Sequence, residues 1–240
     1  MMEKTGTSGF NRLSVPEEPR MQMSQAAIDA VKSGIHENNR KASQRVIGNP
    51  IMGGLAMSDL YVEEPSFTEL REEHLLEVLG IYNYYVLNTT VSFHTEPLSL
   101  DEMRLSVLNN DARFKSYVIE HGGEMQGYVL IARHKNKQAY DSSGEISVYL
   151  KPDCTGRRIG QSALFFIEKR AAELDFHVLV ATVCAENERS RRLFLKNGYE
   201  QSAYFKEIGS KFGRRLDIAS YQKIIGGFSH ETRGGLSQSK

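Results

Sequence analysis

Between about residue 60 and residue 225 the chain repeats hydrophobic residues at helical and strand spacings in turn, and outside that stretch it does neither. Residues 1 to about 58 are rich in Ser, Gly, Asn, Gln and charge. They hold one weakly helical patch, MQMSQAAIDAVKSGI, and then the turn-like GNPIMGG. After Ile225, GGFSHETRGGLSQSK is again glycine and polar residues without a period. The pattern predicts a disordered extension over 1–58, one domain over 59–225 and a flexible tail over 226–240.

Within the domain, LYVEE reads as a short strand and SFTELREEHLLEVLGIYNYYVLN as a helix. Leu75, Leu76, Leu79 and Tyr82 form its apolar stripe, and Ser66 or Thr68 is its cap. Ser99 followed by Glu102 is a capping box ahead of a second helix. KSYVIEHGGEMQGYVLIARH predicts two strands joined at Gly122-Gly123, and EISVYLK a third. Then come a helix from about 157 to 174, a buried strand HVLVATVC, a short helix ENERSRRLFLKNG stopped by Gly198, and strands near 200–206 and 215–223. A meander at the front and alternation at the end predict an α/β fold with a mixed central sheet flanked by helices.

Composition narrows the partners. The 240 residues are 40% hydrophobic, enough for a core, and 30 basic residues balance 30 acidic ones. That balance argues against nucleic acid or an anionic membrane and for a small, locally matched ligand. The two cysteines, Cys154 and Cys184, make neither a disulfide scaffold nor a zinc or redox pair, and no metal is expected. With no apolar run long enough to span a bilayer and no signal-like start, the expectation is a cytoplasmic protein.

The chemistry concentrates in SVYLKPDCTGRRIGQSALFFIEKRAAEL, residues 147–174, where a strand passes through a glycine loop into a helix. The first backbone N–H groups of a helix lack intrahelical partners, and glycine lets an oxygen approach them, so a phosphate fits there. Arg157 and Arg158 add charge-assisted donors. A plain turn with solvated arginines accounts for the spacing equally well. Neither the Walker lysine nor the Gly-x-Gly of a dinucleotide site is present.

The segment CTGRRIG resembles the Arg/Gln-x-x-Gly-x-Gly/Ala loop of GNAT N-acetyltransferases, with the Arg or Gln that usually precedes the first glycine either replaced by Cys154 or lost by a shift. IYNYYVLNTTVSFHTEPLSLDEM, AYDSSGEISVYLKP, ENERSRRLFLKNGYE and KFGRRLDIASYQ extend the likeness to the phosphinothricin and methionine sulfoximine acetyltransferase branch, over residues 60–224. The resemblance implies a GNAT-like fold and acetyl-CoA as co-substrate. Glu145 would be the general base. The backbone of Val148, Tyr149 and Leu150 would hold the pantetheine arm, and Gly156, Arg157, Arg158, Ile159, Gly160 and Gln161 the pyrophosphate. Asn187 and Ser190 would assist, although either alone reads as a helix cap.

On the acceptor side the likeness implies Phe93, Lys135, Asn136 and Lys137, the lysines facing an acid group of a small amine acceptor. Many GNAT enzymes have a tyrosine where Phe194 stands, and His94 and Arg215 also depart from the branch. A polyamine, aminoglycoside or protein N-terminus is the competing acceptor. A non-catalytic acetyl-CoA-binding module is the competing class, and the chain is compatible with a homodimer. His121 and His177 are assigned no role.

Overall fold

Seven strands and four α-helices make up the described residues, 64–108 and 111–226, of this computed structural model. The extension over 1–58, most of the LYVEE strand and the tail from 227 onward lie outside them. Strand β1 is Ser66–Glu69, in the segment expected to open a helix. Phe67 of β1 stacks on Phe166 with ring centroids 4.2 Å apart, a contact that only an extended backbone beside the next strand supplies. Ser66 and Thr68 therefore pair in a ladder and cap nothing.

Helix α1, Leu75–Asn88, follows a short turn of 3-10 helix, Glu72–His74, whose entry is closed by the Arg71 N–H donating to His74 Nδ1 at 3.0 Å. Its buried face is Leu75, Val78, Ile81 and Val86, and Leu76 is exposed, so the true stripe is rotated from the expected one. Helix α2, Leu100–Val107, begins with the expected capping box: Ser99 Oγ accepts from the Glu102 N–H, and the Glu102 carboxylate accepts from the Ser99 N–H at 2.8 Å.

Strands β2, Ser116–His121, and β3, Glu124–Arg133, form the predicted hairpin, and Gly122 and Gly123 both take positive φ at its turn. Next come β4, Ser143–Leu150; α3, Ile159–Glu173; β5, Val178–Cys184; α4, Glu188–Lys196; β6, Glu200–Lys211; and β7, Arg214–Ile224. The sheet order is β1-β2-β3-β4-β5-β7-β6, antiparallel throughout except between β4 and β5.

Both faces of the sheet are covered, because alternate residues of one strand enter different cores. Ile119, Val129 and Ile131 pack with Ala163, Leu164 and Ile167 of α3, whereas their neighbours Val118 and Tyr128 pack with Leu75, Val78 and Ile81 of α1 and Met103 of α2. The parallel pair then places the site. Strands β4 and β5 are paired only at Ser143↔Val178, Gly144↔Leu179 and Glu145↔Val180. Beyond that point β4 stays with β3 and β5 stays with β7, so the two strands part.

Candidate active site

The parting exposes one edge of β4. Lys151 N–H donates to Gln126 O at 2.7 Å across the β3–β4 ladder, so alternate residues along β4 turn their backbone groups to opposite sides. The groups of Tyr149 point to β3, and those of Val148 and Leu150 point into the opening. Of the three residues expected to offer backbone to a ligand, two are turned to do so and Tyr149 is not. Its side chain is packed among Tyr82, Tyr85 and Tyr128. The Leu150 carbonyl receives the Tyr85 hydroxyl at 2.6 Å. Burial pushes that phenol up to about 12, so it remains a neutral donor.

The opening leads to the start of α3. Gly156 has φ 83° and Arg158, the residue before the helix, has φ 65°. Arg158 thus holds a left-handed conformation that glycine adopts more easily. It stands two positions before Gly160, so the Gly-x-Gly/Ala part of the loop pattern falls on Arg158 and Gly160, and Gly156 is an additional bend. The N–H groups of Gly156, Arg157, Arg158, Ile159 and Gly160 have no acceptor among the described residues. Five unmet donors beside a helix N-terminus suit an anion. Arg157, Arg158 and Gln161 are exposed around them, and Arg189 of α4 reaches the loop through Thr155 Oγ1. Cys154, by contrast, is buried in the core under the loop, and burial pushes its thiol up to about 11, so it stays neutral and adds no positive charge there.

Glu145 lies where the parallel pairing ends. Thr182 Oγ1 donates to its Oε1 at 2.7 Å, and His134 Nδ1 lies 3.3 Å from its Oε2. The loop after β3 that carries Lys135, Asn136 and Lys137 is clasped at its neck by an ion pair between Arg133 and Asp141. Asn136 and Lys137 line a shallow depression of about 240 Å³ with Arg133, Gln138 and Asp141. Neither lysine has an ion pair among the described residues. The structure brings none of the three into contact with Glu145; the residue of that loop touching it is His134.

The segment after α1 is tied down from far along the chain. Phe93 is 42% exposed, and Ser92 before it is buried and anchored through its carbonyl by Lys211 Nζ at 2.8 Å. Burial lowers the pKa of that ammonium. Glu186, just after β5, binds both Arg214 nitrogens at 2.6 and 2.7 Å and accepts from Thr90 Oγ1. Those bonds lower its carboxyl to about 2.

A family profile described as the acetyltransferase (GNAT) family matches residues 78–199. The chain belongs to this family. The phosphinothricin N-acetyltransferase of Streptomyces coelicolor is 32% identical over 158 residues, 64% of this chain and 92% of that one. A crystal structure titled ribosomal-protein-alanine N-acetyltransferase, from Brucella melitensis, superimposes with a TM-score of 0.63 at 32% identity, covering 66% of this chain and 99% of the other. A GNAT superfamily phosphinothricin acetyltransferase from Sinorhizobium meliloti, solved in complex with acetyl-CoA, gives 0.64 at 28% identity over 68% and 89%. No helix among the described residues is long and apolar enough to cross a membrane.

In this acetyltransferase α4 is started by its own side chains. Asn187 and Ser190 bond to each other: Asn187 Oδ1 accepts from the Ser190 N–H at 3.2 Å, and its amide donates to Ser190 Oγ at 2.9 Å, which starts α4. Phe194 is buried and packed on Tyr199 and Tyr221, so α4 offers no hydroxyl there. His134, Thr182, Arg189 and Lys211 were not singled out in the sequence. Each acts through a partner distant in the chain, and no local spacing marks it.

Proposed function

We propose that the protein transfers an acetyl group from acetyl-CoA to the α-amine of a small amino-acid-like acceptor of the phosphinothricin or methionine sulfoximine type. The observation that carries the reading is the carboxylate of Glu145, held at the end of an opening whose other end is a cluster of unmet backbone donors. The residues present fit acetyl-CoA: Val148 and Leu150 have backbone groups turned to the opening for an extended pantetheine arm, and the 156–160 N–H groups suit its pyrophosphate. Bound there, acetyl-CoA supplies an activated thioester carbonyl.

The chain's own groups supply the rest. Glu145 accepts the proton that an ammonium must lose before its nitrogen can attack, directly or through one water. Lys135 and Lys137, without carboxylate partners among the described residues, are available to the acceptor's acid group. With Phe194 in place of a phenol, the leaving thiolate takes its proton from solvent. The Glu145 carboxylate distinguishes this reading from that of a binding module without catalysis.

The Brucella structure's name favours a second acceptor class, a protein N-terminus. The deciding experiment compares kcat/KM for phosphinothricin-type amino acids, an alanine-terminated peptide and spermidine at saturating acetyl-CoA. The amino acids should lead. A tenfold lead for the peptide or the polyamine, a transition-state preference of about 1.4 kcal/mol, overturns the proposed acceptor.

A further inference from the structure

Both oxygens of Glu145 are tied, and the two ties come from opposite sides of β4. Thr182, on β5, lies two residues past Val180, the last β5 residue paired with β4. Glu145 and Val180 are register partners, so Thr182 shares their face of the sheet and its hydroxyl spans the point where the backbone ladder has stopped. His134 follows the last residue of β3, and Ala132, two residues earlier, is the register partner of Glu145. All three side chains therefore meet on one face. The His134 and Glu145 side chains are shielded to similar degrees, 22% and 31% exposed.

We propose that His134 and Thr182 are positioning residues for the Glu145 carboxylate in proton transfer from the acceptor amine. A glutamate at a strand edge has three rotatable side-chain bonds, and a base that wanders is poorly aligned with the proton it must take. One donor on each oxygen holds the carboxylate plane and leaves the second lone pair of each oxygen for the acceptor. In the step itself an N–H bond of the ammonium breaks and an O–H bond forms on Glu145. His134 and Thr182 neither gain nor lose a proton. The side of the carboxylate toward β3 is secured by the Arg133–Asp141 ion pair, which braces the loop that begins with His134.

This inference rests on Glu145 being the base, and the experiment separates the two. Turnover and acetyl-CoA affinity are measured for His134→Leu, His134→Asn, Thr182→Val, Glu145→Gln and the double variant His134→Leu/Glu145→Gln. His134→Leu and Thr182→Val should each lower kcat about tenfold while acetyl-CoA affinity by calorimetry is unchanged. His134→Asn, which restores an N–H donor, should recover most of the loss. Adding His134→Leu to Glu145→Gln should cost nothing further, because a positioning residue has no effect once the base it positions is gone.

A multiplicative loss in the double variant, or normal kcat in both His134→Leu and Thr182→Val beside an impaired Glu145→Gln, overturns the positioning role alone. Normal turnover in Glu145→Gln overturns the reading beneath it. If His134→Leu does not fold, Thr182→Val reads the other oxygen with a side chain of the same shape.

Discussion

The two ends of the opening between β4 and β5 are built from different material. The end toward α3 is mostly backbone: the outward groups of Val148 and Leu150 and the N–H groups of 156–160. The end toward Glu145 is side chain, with His134 and Thr182 brought to one carboxylate from separate elements. A backbone site survives replacement of its side chains, so even a loop with arginine in a glycine conformation keeps its donors. A side-chain site changes chemistry with each substitution.

That contrast is broken most directly by Glu145→Gln. Turnover should fall by roughly 10²–10⁴, with acetyl-CoA affinity unchanged in calorimetry. A matching loss of affinity would mean that the two ends are not independent. Gln161→Asp tests the other end with opposed signs. A carboxylate in the first turn of α3 favours the helix dipole, so melting temperature should hold or rise, while acetyl-CoA affinity should fall about tenfold by repulsion of its phosphates. Unchanged affinity there would remove the anion from the α3 terminus.

Arg158→Gly divides backbone from side chain at a single position. Releasing a left-handed arginine should raise stability by about 1 kcal/mol, a melting shift of about 2–4 °C. Acetyl-CoA affinity should fall by less than in Gln161→Asp, because only one guanidinium is lost. A fall as large as that of Gln161→Asp would make the loop a side-chain site after all.

The smallest effect concerns the clasp of Glu186 with Arg214 and Thr90. Hydrogen bonding to Arg214, then to Thr90, lowers the Glu186 carboxyl from 4.5 to about 2. Its contribution is therefore full above pH 4.5 and is lost as pH falls toward 2. The melting-temperature difference between wild type and Glu186→Gln should close over that window. Both partners are exposed and screened, which keeps the difference small.

Much of the fold was legible in the sequence because its signals are local. The Ser99–Glu102 box, the Gly122-Gly123 turn and the Gly198 stop each depend on residues a few positions apart, and each stands in the structure as expected. The start of the first helix was misread, because β1 owes its place to β2 and to Phe166, far along the chain. Leu76 fits a helical stripe by spacing but faces outward, since the packing of α1 against α2 and the sheet selects a different face.

The site divides along the same line. By itself the sequence determined the order of the elements, the glycine loop at a helix start and a glutamate at the head of β4, all written in short spacings and hydrophobic periods. Only the tertiary structure decided that β4 and β5 part after Glu145, that Tyr149 turns its backbone away from the opening, and that Thr182 and His134 close on one carboxylate. Lys211 reaching Ser92 across 119 residues belongs with these. Strand register and the meeting of distant side chains are set by the packing of the whole sheet, and no window of neighbouring residues contains that packing.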